Sequence, residues 1–179
     1  MKAKKKLFSE SGKKNRPIGL GLVIALRHPD RRKEVCSIIK QSGYTFMLHS
    51  EQPSEVSPDD IYVIDTIGDL IPFYQFAEIV FMGGSLVPIG GHNVLEPAEF
   101  EKCIITGPHF HSFTDIVKGL LNCNGIIVIN DSKELIQEVA SLNNNDDLRI
   151  TIGKNSKQYL TSKTNLLEDY VKAVLKLLN

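Results

Sequence analysis

The densest group of residues able to do chemistry is the run Gly83-Gly84-Ser85-Leu86-Val87-Pro88-Ile89-Gly90-Gly91-His92-Asn93-Val94-Leu95-Glu96-Pro97. Two glycine pairs let the backbone come close to a bound group, and a helix starting behind them would offer unpaired amides and a partial positive charge. A phosphate suits such a loop. His92, Asn93 and Glu96 add donors and an acceptor fit for a nucleotide sugar. The plainer reading is a tight turn followed by a helix cap, which glycine pairs alone would favour; the polar cluster behind them tips the balance to a ligand site. Glu96 falls in the first turn of the expected helix. There its carboxylate can accept from two ribose hydroxyls, or it can merely offset the helix dipole, worth a few tenths of about 1 kcal/mol.

Other candidates stand at the ends of expected strands. Arg27 can stabilise a phosphate or form an ordinary surface ion pair worth under about 1 kcal/mol. His28 precedes Pro29 and is therefore expected to be extended, aimed at a cleft mouth or used as a cap. His109 and His111 follow Gly107-Pro108 and are weaker candidates. Asp65 resembles a catalytic base by position, but an Asp ahead of Thr66 and Gly68 suits turn fixing at least as well.

The elements that must position these residues alternate. A buried strand is expected over Gly19 to Arg27, then a helix opened by Pro29-Asp30 and ending near Ser42-Gly43. A short strand over Tyr44 to His49, a surface loop over Pro53 to Pro58 and a strand over Ile61 to Asp65 follow, with a helical turn or two within Gly68 to Phe76. Strand and helix then alternate as Glu78–Met82, Val94–Phe100, Cys103–Thr106, Ser112–Leu121, Gly125–Ile129 and Ser132–Leu142. Asn143 to Asp147 reads as a polar turn, and Leu166 to Leu178 as a helix with one apolar face that packs on the sheet. Near-continuous apolar strands alternating with helices argue for an α/β fold with a parallel, doubly wound sheet. In such sheets ligands sit outside the carboxyl ends of the strands, where the glycine-rich run begins.

Bulk properties narrow the function classes. At 179 residues and 42% hydrophobic composition the chain can bury a core, and a single domain is the economical count. With 21 basic and 21 acidic residues the formal net charge is zero, which gives no ground for a nucleic-acid partner. Positive charge gathers in residues 1–16, expected to be a disordered, solvated start, with attraction to anionic lipid as the sharper reading. Residues 17–179 then form the single domain. Cys36, Cys103 and Cys123 lack CxxC spacing and suit free thiols in a reducing compartment; no metal site is indicated. The longest apolar run, Gly19 to Leu26, is too short to span a bilayer, so the chain itself is expected to be soluble.

Three stretches carry a family resemblance. GGSLVPIGGHNVLEPAEFEKCIITGPHFHSF, the run Asp65-Thr66-Ile67-Gly68-Asp69-Leu70 with Phe73-Tyr74 after it, and Arg27-His28-Pro29-Asp30-Arg31 together resemble the carboxyl-terminal domain of bacterial 3-deoxy-D-manno-octulosonic acid (Kdo) transferases. The resemblance runs from about Gly19 to the end. It implies a Rossmann-like domain, the second half of a GT-B glycosyltransferase, that binds CMP-Kdo while an amino-terminal domain holds the acceptor, a lipid A precursor. Transfer would invert the anomeric centre with no cofactor and no metal for the chemistry. By position, Arg27 and His28 would face the donor phosphate, Thr66 and Gly68 would line the cleft, Gly83, Gly84, Ser85, Gly90, Gly91, His92 and Asn93 would cradle the CMP, and Glu96 would hold the ribose.

The same resemblance implies what to expect elsewhere. The family's general base and membrane contact belong to the amino-terminal domain, which has no counterpart here, and a further His-Pro element should precede Gly19. The expectation is therefore a donor-binding part of a lipopolysaccharide-building transferase, inactive alone and drawn to the cytoplasmic face of the inner membrane by its other half. A non-catalytic remnant and a GT-B enzyme using a UDP- or ADP-sugar are the alternatives.

Overall fold

A computed structural model describes residues 21–54, 57 and 59–177, with side chains described up to residue 164. The basic start, and the side chains of the apolar face expected over Leu166 to Leu178, lie outside the described residues. The chain divides into two compact units, with the boundary after Pro72.

In the first unit, β1 (Val23–Ala25), β2 (Phe46–Leu48) and β3 (Ile61–Ile64) form a parallel sheet in the order β1-β3-β2. Ala25 stands opposite Ile64, and Leu48 opposite Val63. The first strand is shorter than its apolar run, yet its pairing continues on both sides: the Tyr62 amide donates to Leu22 O at 3.0 Å and the Leu26 amide to Ile64 O at 2.9 Å. A 3-10 turn, Pro29–Arg31, opens α1 (Arg32–Gln41). Gly43, at φ 79°, supplies the left-handed residue that lets the chain leave that helix. Val35, Cys36 and Ile39 of α1 pack with Leu48, Ile61 and Val63, so every third or fourth helical residue meets the sheet.

The second unit begins within the one-turn helix α2 (Ile71–Tyr74). It contains β4 (Ile79–Phe81), β5 (Cys103–Thr106) and β6 (Ile127–Val128), parallel and in that order. All four residues of β5 are buried because both faces of the sheet are covered. Ile104 packs with Val94, Ala98, Val117 and Leu120 from the region of α3 (Leu95–Glu99) and α4 (Thr114–Asn122). Cys103 and Ile105 pack with Leu142 of α5 (Ser132–Asn143) and Ile152 of α6 (Asp146–Leu177). Burial pushes the Cys103 thiol up to about 11, which keeps it protonated and inert. The parallel pairing and strand–helix alternation are those of the expected α/β fold, realised as two three-stranded sheets.

The largest departure from the expected elements is α6, which runs over 32 residues. The expected polar turn shrinks, since Asn143 closes α5 and Asp146 opens α6. Small residues let α6 lie close: a Cβ on Gly125 would stand 2.9 Å from the Ser156 backbone, and one on Gly153 would strike the Glu101 carbonyl. Arg149, with its side chain 11% exposed, pairs with Glu78 at 3.0 Å and Asp146 at 2.7 Å, tying α6 to the residue ahead of β4.

Candidate functional site

Parallel pairing sends the loops after β4, β5 and β6 out of one edge of the second sheet. The loop after β4 is held there by Ser85. Its fully buried hydroxyl donates to Met82 O at 2.5 Å and accepts from the Gly107 amide at 2.7 Å, while its carbonyl accepts from the His109 amide at 3.0 Å. Gly107 has no room for a side chain, because a Cβ there would run into the Ser85 carbonyl. The two loops are thus joined by the Ser85 hydroxyl and by one backbone hydrogen bond.

The second glycine pair meets the same neighbour. Gly90 and Gly91 have φ of 103° and 73°, a region costly for other residues. A Cβ on Gly90 would fall 2.6 Å from Ser112 Oγ and 2.7 Å from His111 Nε2, and one on Gly91 3.2 Å from His109 O. His92 turns back over the first pair, its ring 3.6 to 3.9 Å from where Cβ atoms on Gly83 and Gly84 would stand. Between the pairs, Val87 and Ile89 form an exposed tip.

Behind the loop, α3 has only five residues, so its dipole is small. Its Leu95 amide is taken by Asn93 Oδ1 at 3.0 Å. The anion affinity expected from a helix start therefore falls to the loop amides. The helix ends early because Glu101 turns left-handed at φ 56°, with its amide on Ala98 O, to bring the chain into β5. Asn93 Nδ2 donates to Glu96 Oε1 at 3.2 Å. Nearby, Tyr74 is 6% exposed and rests its ring on Phe100 at a centroid distance of 5.9 Å. Burial first, and the neighbouring Glu96 carboxylate second, push the Tyr74 phenol up to about 12. Tyr74 therefore stays protonated beside Glu96 at neutral pH.

In the first unit, Arg27 and His28 follow β1, and Asp65, Thr66 and Gly68 follow β3, all leaving the carboxyl edge of that sheet. Arg27 and His28 are exposed, and His28 is extended (φ −122°, ψ 103°) and makes no cap bond. Gly68 has φ 95° and open space around it. Thr66 Oγ1 is buried with no hydrogen-bond partner. Asp65 is 5% exposed and takes the Ser50 amide at 2.9 Å, the Ser50 hydroxyl at 2.7 Å and Arg32 Nη1 at 3.2 Å. Burial pushes its carboxyl up, and those donors outweigh burial and hold it below the usual range. This is the turn-fixing role, joining β3 to the 3-10 turn His49–Glu51 and to α1.

Among the described residues, no group of three or more His, Cys, Asp or Glu side chains is gathered to hold a metal ion. No protein-family model matches the chain. Individual proteins do. It is 34% identical over 155 residues to the 3-deoxy-D-manno-octulosonic acid transferase of Rickettsia typhi, covering 86% of this chain and 33% of that protein. It is 30% identical over 148 residues to the enzyme of the same name from Haemophilus influenzae, covering 82% of this chain and 35% of that protein. The crystal structure of the C-terminal CMP-Kdo binding domain of WaaA from Acinetobacter baumannii superposes with a TM-score of 0.75 at 25% identity, covering 79% of this chain and 74% of that one. The chain belongs to the Kdo transferase family. It corresponds to the carboxyl-terminal domain and spans about a third of the length of the curated relatives it matches.

Against the residues that the Kdo transferase resemblance singles out, the second unit brings Gly83 and Gly84 beside His92, Ser85 beside Gly91, and Asn93 onto Glu96. It spends the Ser85 hydroxyl on internal bonds, leaving that residue to shape the loop. Two further residues matter that sequence reasoning did not single out. Gly107, legible only as half of a Gly-Pro turn signal, is the contact point of the two loops. Tyr74 was part of a resembling stretch, but nothing local marked it as a buried neighbour of Glu96.

Proposed function

We propose that the chain is the donor-binding part of a Kdo transferase and holds CMP-Kdo at the carboxyl edge of its second sheet. The observation that carries this reading is the interlocked glycine loop, followed directly by an oriented carboxylate, in a chain similar to a CMP-Kdo binding domain. Amides around Gly83–Gly84 and Gly90–Gly91 suit the CMP phosphate, and Glu96 suits the ribose hydroxyls. Arg27, His28, Thr66 and Gly68 are assigned to the same donor from the family resemblance. During transfer the phosphate of CMP gains charge as its bond to the sugar breaks, and prearranged amides with a guanidinium stabilise that charge.

The reaction we assign is inverting transfer of Kdo to a lipid A precursor, with no metal or cofactor in the chemistry, and this chain alone does not perform it. Two features support that limit. The resemblance puts the base in an amino-terminal domain, and two carboxylates of the assigned edges, Asp65 after β3 and Glu96 in α3, are already engaged by hydrogen-bond donors. No described helix is long and apolar enough to cross a membrane. A peripheral place on the cytoplasmic face of the inner membrane follows from the acceptor.

We also assign both compact units to one donor-binding domain, because the likeness to the solved domain covers more of the chain than either unit contains. Calorimetric titration tests the donor: CMP should bind more tightly than UDP or ADP, and the reverse order would overturn the assignment. Glu96→Ala and Arg27→Ala should each weaken CMP binding by roughly 1 to 3 kcal/mol, as for charge-assisted hydrogen bonds.

A further inference from the structure

We propose that His111 and Ser112 receive the carboxylate of the donor sugar, forming a second anion site beside the one assigned to the phosphate. The proposal rests on the CMP-Kdo reading of the glycine loop. It adds to that reading the feature that separates an ulosonic acid donor from a sugar without a carboxylate.

In an ulosonic acid the carboxylate is bonded to the anomeric carbon, the same carbon that carries the phosphate ester oxygen in CMP-Kdo. The donor therefore brings two anions side by side. Like charges that close repel, and each loses water on entering a cleft, so each needs donors of its own. The second set stands next to the first. Ser112 Oγ and His111 Nε2 converge over Gly90, 2.6 and 2.7 Å from where its Cβ would stand. Because Gly90 has no Cβ, the space between the two polar atoms stays open. Both side chains are exposed, and neither makes a hydrogen bond or ion pair within the described residues. A hydroxyl and an imidazole carrying its proton on Nε2 are both donors to a carboxylate. The local sequence explains why they are held there. Phe110 and Phe113 pack against the cluster that includes Val117 and Leu120 of α4, and positions three apart in a 3-10 turn share a face. His111 and Ser112 are left as the exposed polar part of the turn His111–Phe113. The Phe113 amide donates to Phe110 O at 2.8 Å, and the Thr114 hydroxyl to His111 O at 3.2 Å. The His109 amide, on Ser85 O, ties this stretch to the glycine loop. The two anion sites thus keep a set spacing, and a ligand has little ordering left to impose.

Calorimetric titration of the full chain with CMP, CMP-Kdo and the CMP-Kdo carboxamide, in which a neutral group of the same shape replaces the carboxylate, tests the assignment. The parent chain should bind CMP-Kdo about tenfold or more tightly than the carboxamide, as for charge-assisted hydrogen bonds. His111→Ala and Ser112→Ala should each shrink that preference by about threefold or more. The double variant should lose it while CMP affinity and melting temperature stay nearly unchanged. A double variant that keeps the parent's preference overturns the proposal and leaves the CMP reading standing. So does a parent chain that binds CMP but does not distinguish CMP-Kdo from the carboxamide. Equal weakening of all three ligands in the double variant assigns the pair to the phosphate or to loop packing and also overturns the proposal. A parent chain that fails to bind CMP overturns the reading of the glycine loop itself, and the proposal with it.

Discussion

The carboxyl edges of the two sheets are built from different materials. In the second unit the edge is made largely of backbone: the Ser85 hydroxyl and carbonyl take the Gly107 and His109 amides, and Gly90 and Gly91 occupy positive φ with neighbouring atoms within 3.2 Å of where a Cβ would stand. In the first unit it is made of side chains, with Asp65 as a hub for Ser50 and Arg32, and with Arg27 and His28 exposed beyond it. A backbone-built edge presents amides in fixed directions and tolerates almost no substitution. A side-chain-built edge can be altered one bond at a time, so the two edges should respond to mutation on different scales.

The sharpest break should come at the point where the loops touch. Gly107→Ala would drive a methyl group into the Ser85 carbonyl, a backbone atom that cannot swing aside. Overpacking of this kind costs about 3 kcal/mol or more, and here it would also part the two loops. The expected outcome is a large fall in the urea midpoint together with loss of CMP binding; wild-type binding in this variant would refute the account of the edge. Ser85→Ala should be milder. It leaves the buried Gly107 amide without its acceptor, for a loss of about 2 kcal/mol, and weakens CMP binding only as far as the loop relaxes. Chemical denaturation and CMP titration of the same sample separate the two effects.

This difference in materials also decided what could be read in the sequence. Glycine pairs after an apolar strand announce a backbone-built site, because glycine has few other reasons to recur there, and β5 was legible from the β-forming run Cys103-Ile104-Ile105-Thr106 bounded by Lys102 and Gly107. The burial of Tyr74 beside Glu96 was not legible, since it arises from packing between residues far apart in sequence that no local spacing encodes. Most of α6 was hidden for a related reason. Thr151, Gly153, Asn155 and Ser156 are poor helix formers, and they are helical because small side chains there let the helix settle on Glu101 and Gly125. The helix start behind the glycine loop contributes less than its expected span of Val94–Phe100 implied, because the chain leaves α3 after Glu99 to enter β5 and Asn93 takes the Leu95 amide.

The smallest expected effect lies at the side-chain-built edge and carries a pH signature that the other edge lacks. Asp65→Asn keeps the shape of the hub and removes the charge that Ser50 and Arg32 satisfy, for a loss of about 1 to 2 kcal/mol at neutral pH. The sign follows from the lowered carboxyl of the folded protein. Its contribution to stability is complete above the unfolded value, about 3.9, and is lost as pH falls through the lower folded value. The stability gap between parent and variant should therefore be constant from pH 7 to about pH 5 and close below about pH 4. Ser85→Ala, which removes no titrating group, should show a gap that does not close with pH over the same range. If both gaps closed together, the contrast between an edge made of charged side chains and one made of backbone would be lost. If only the Asp65 gap closes, the first unit owes its strand-end geometry to a carboxylate that is committed to structure and unavailable as a base.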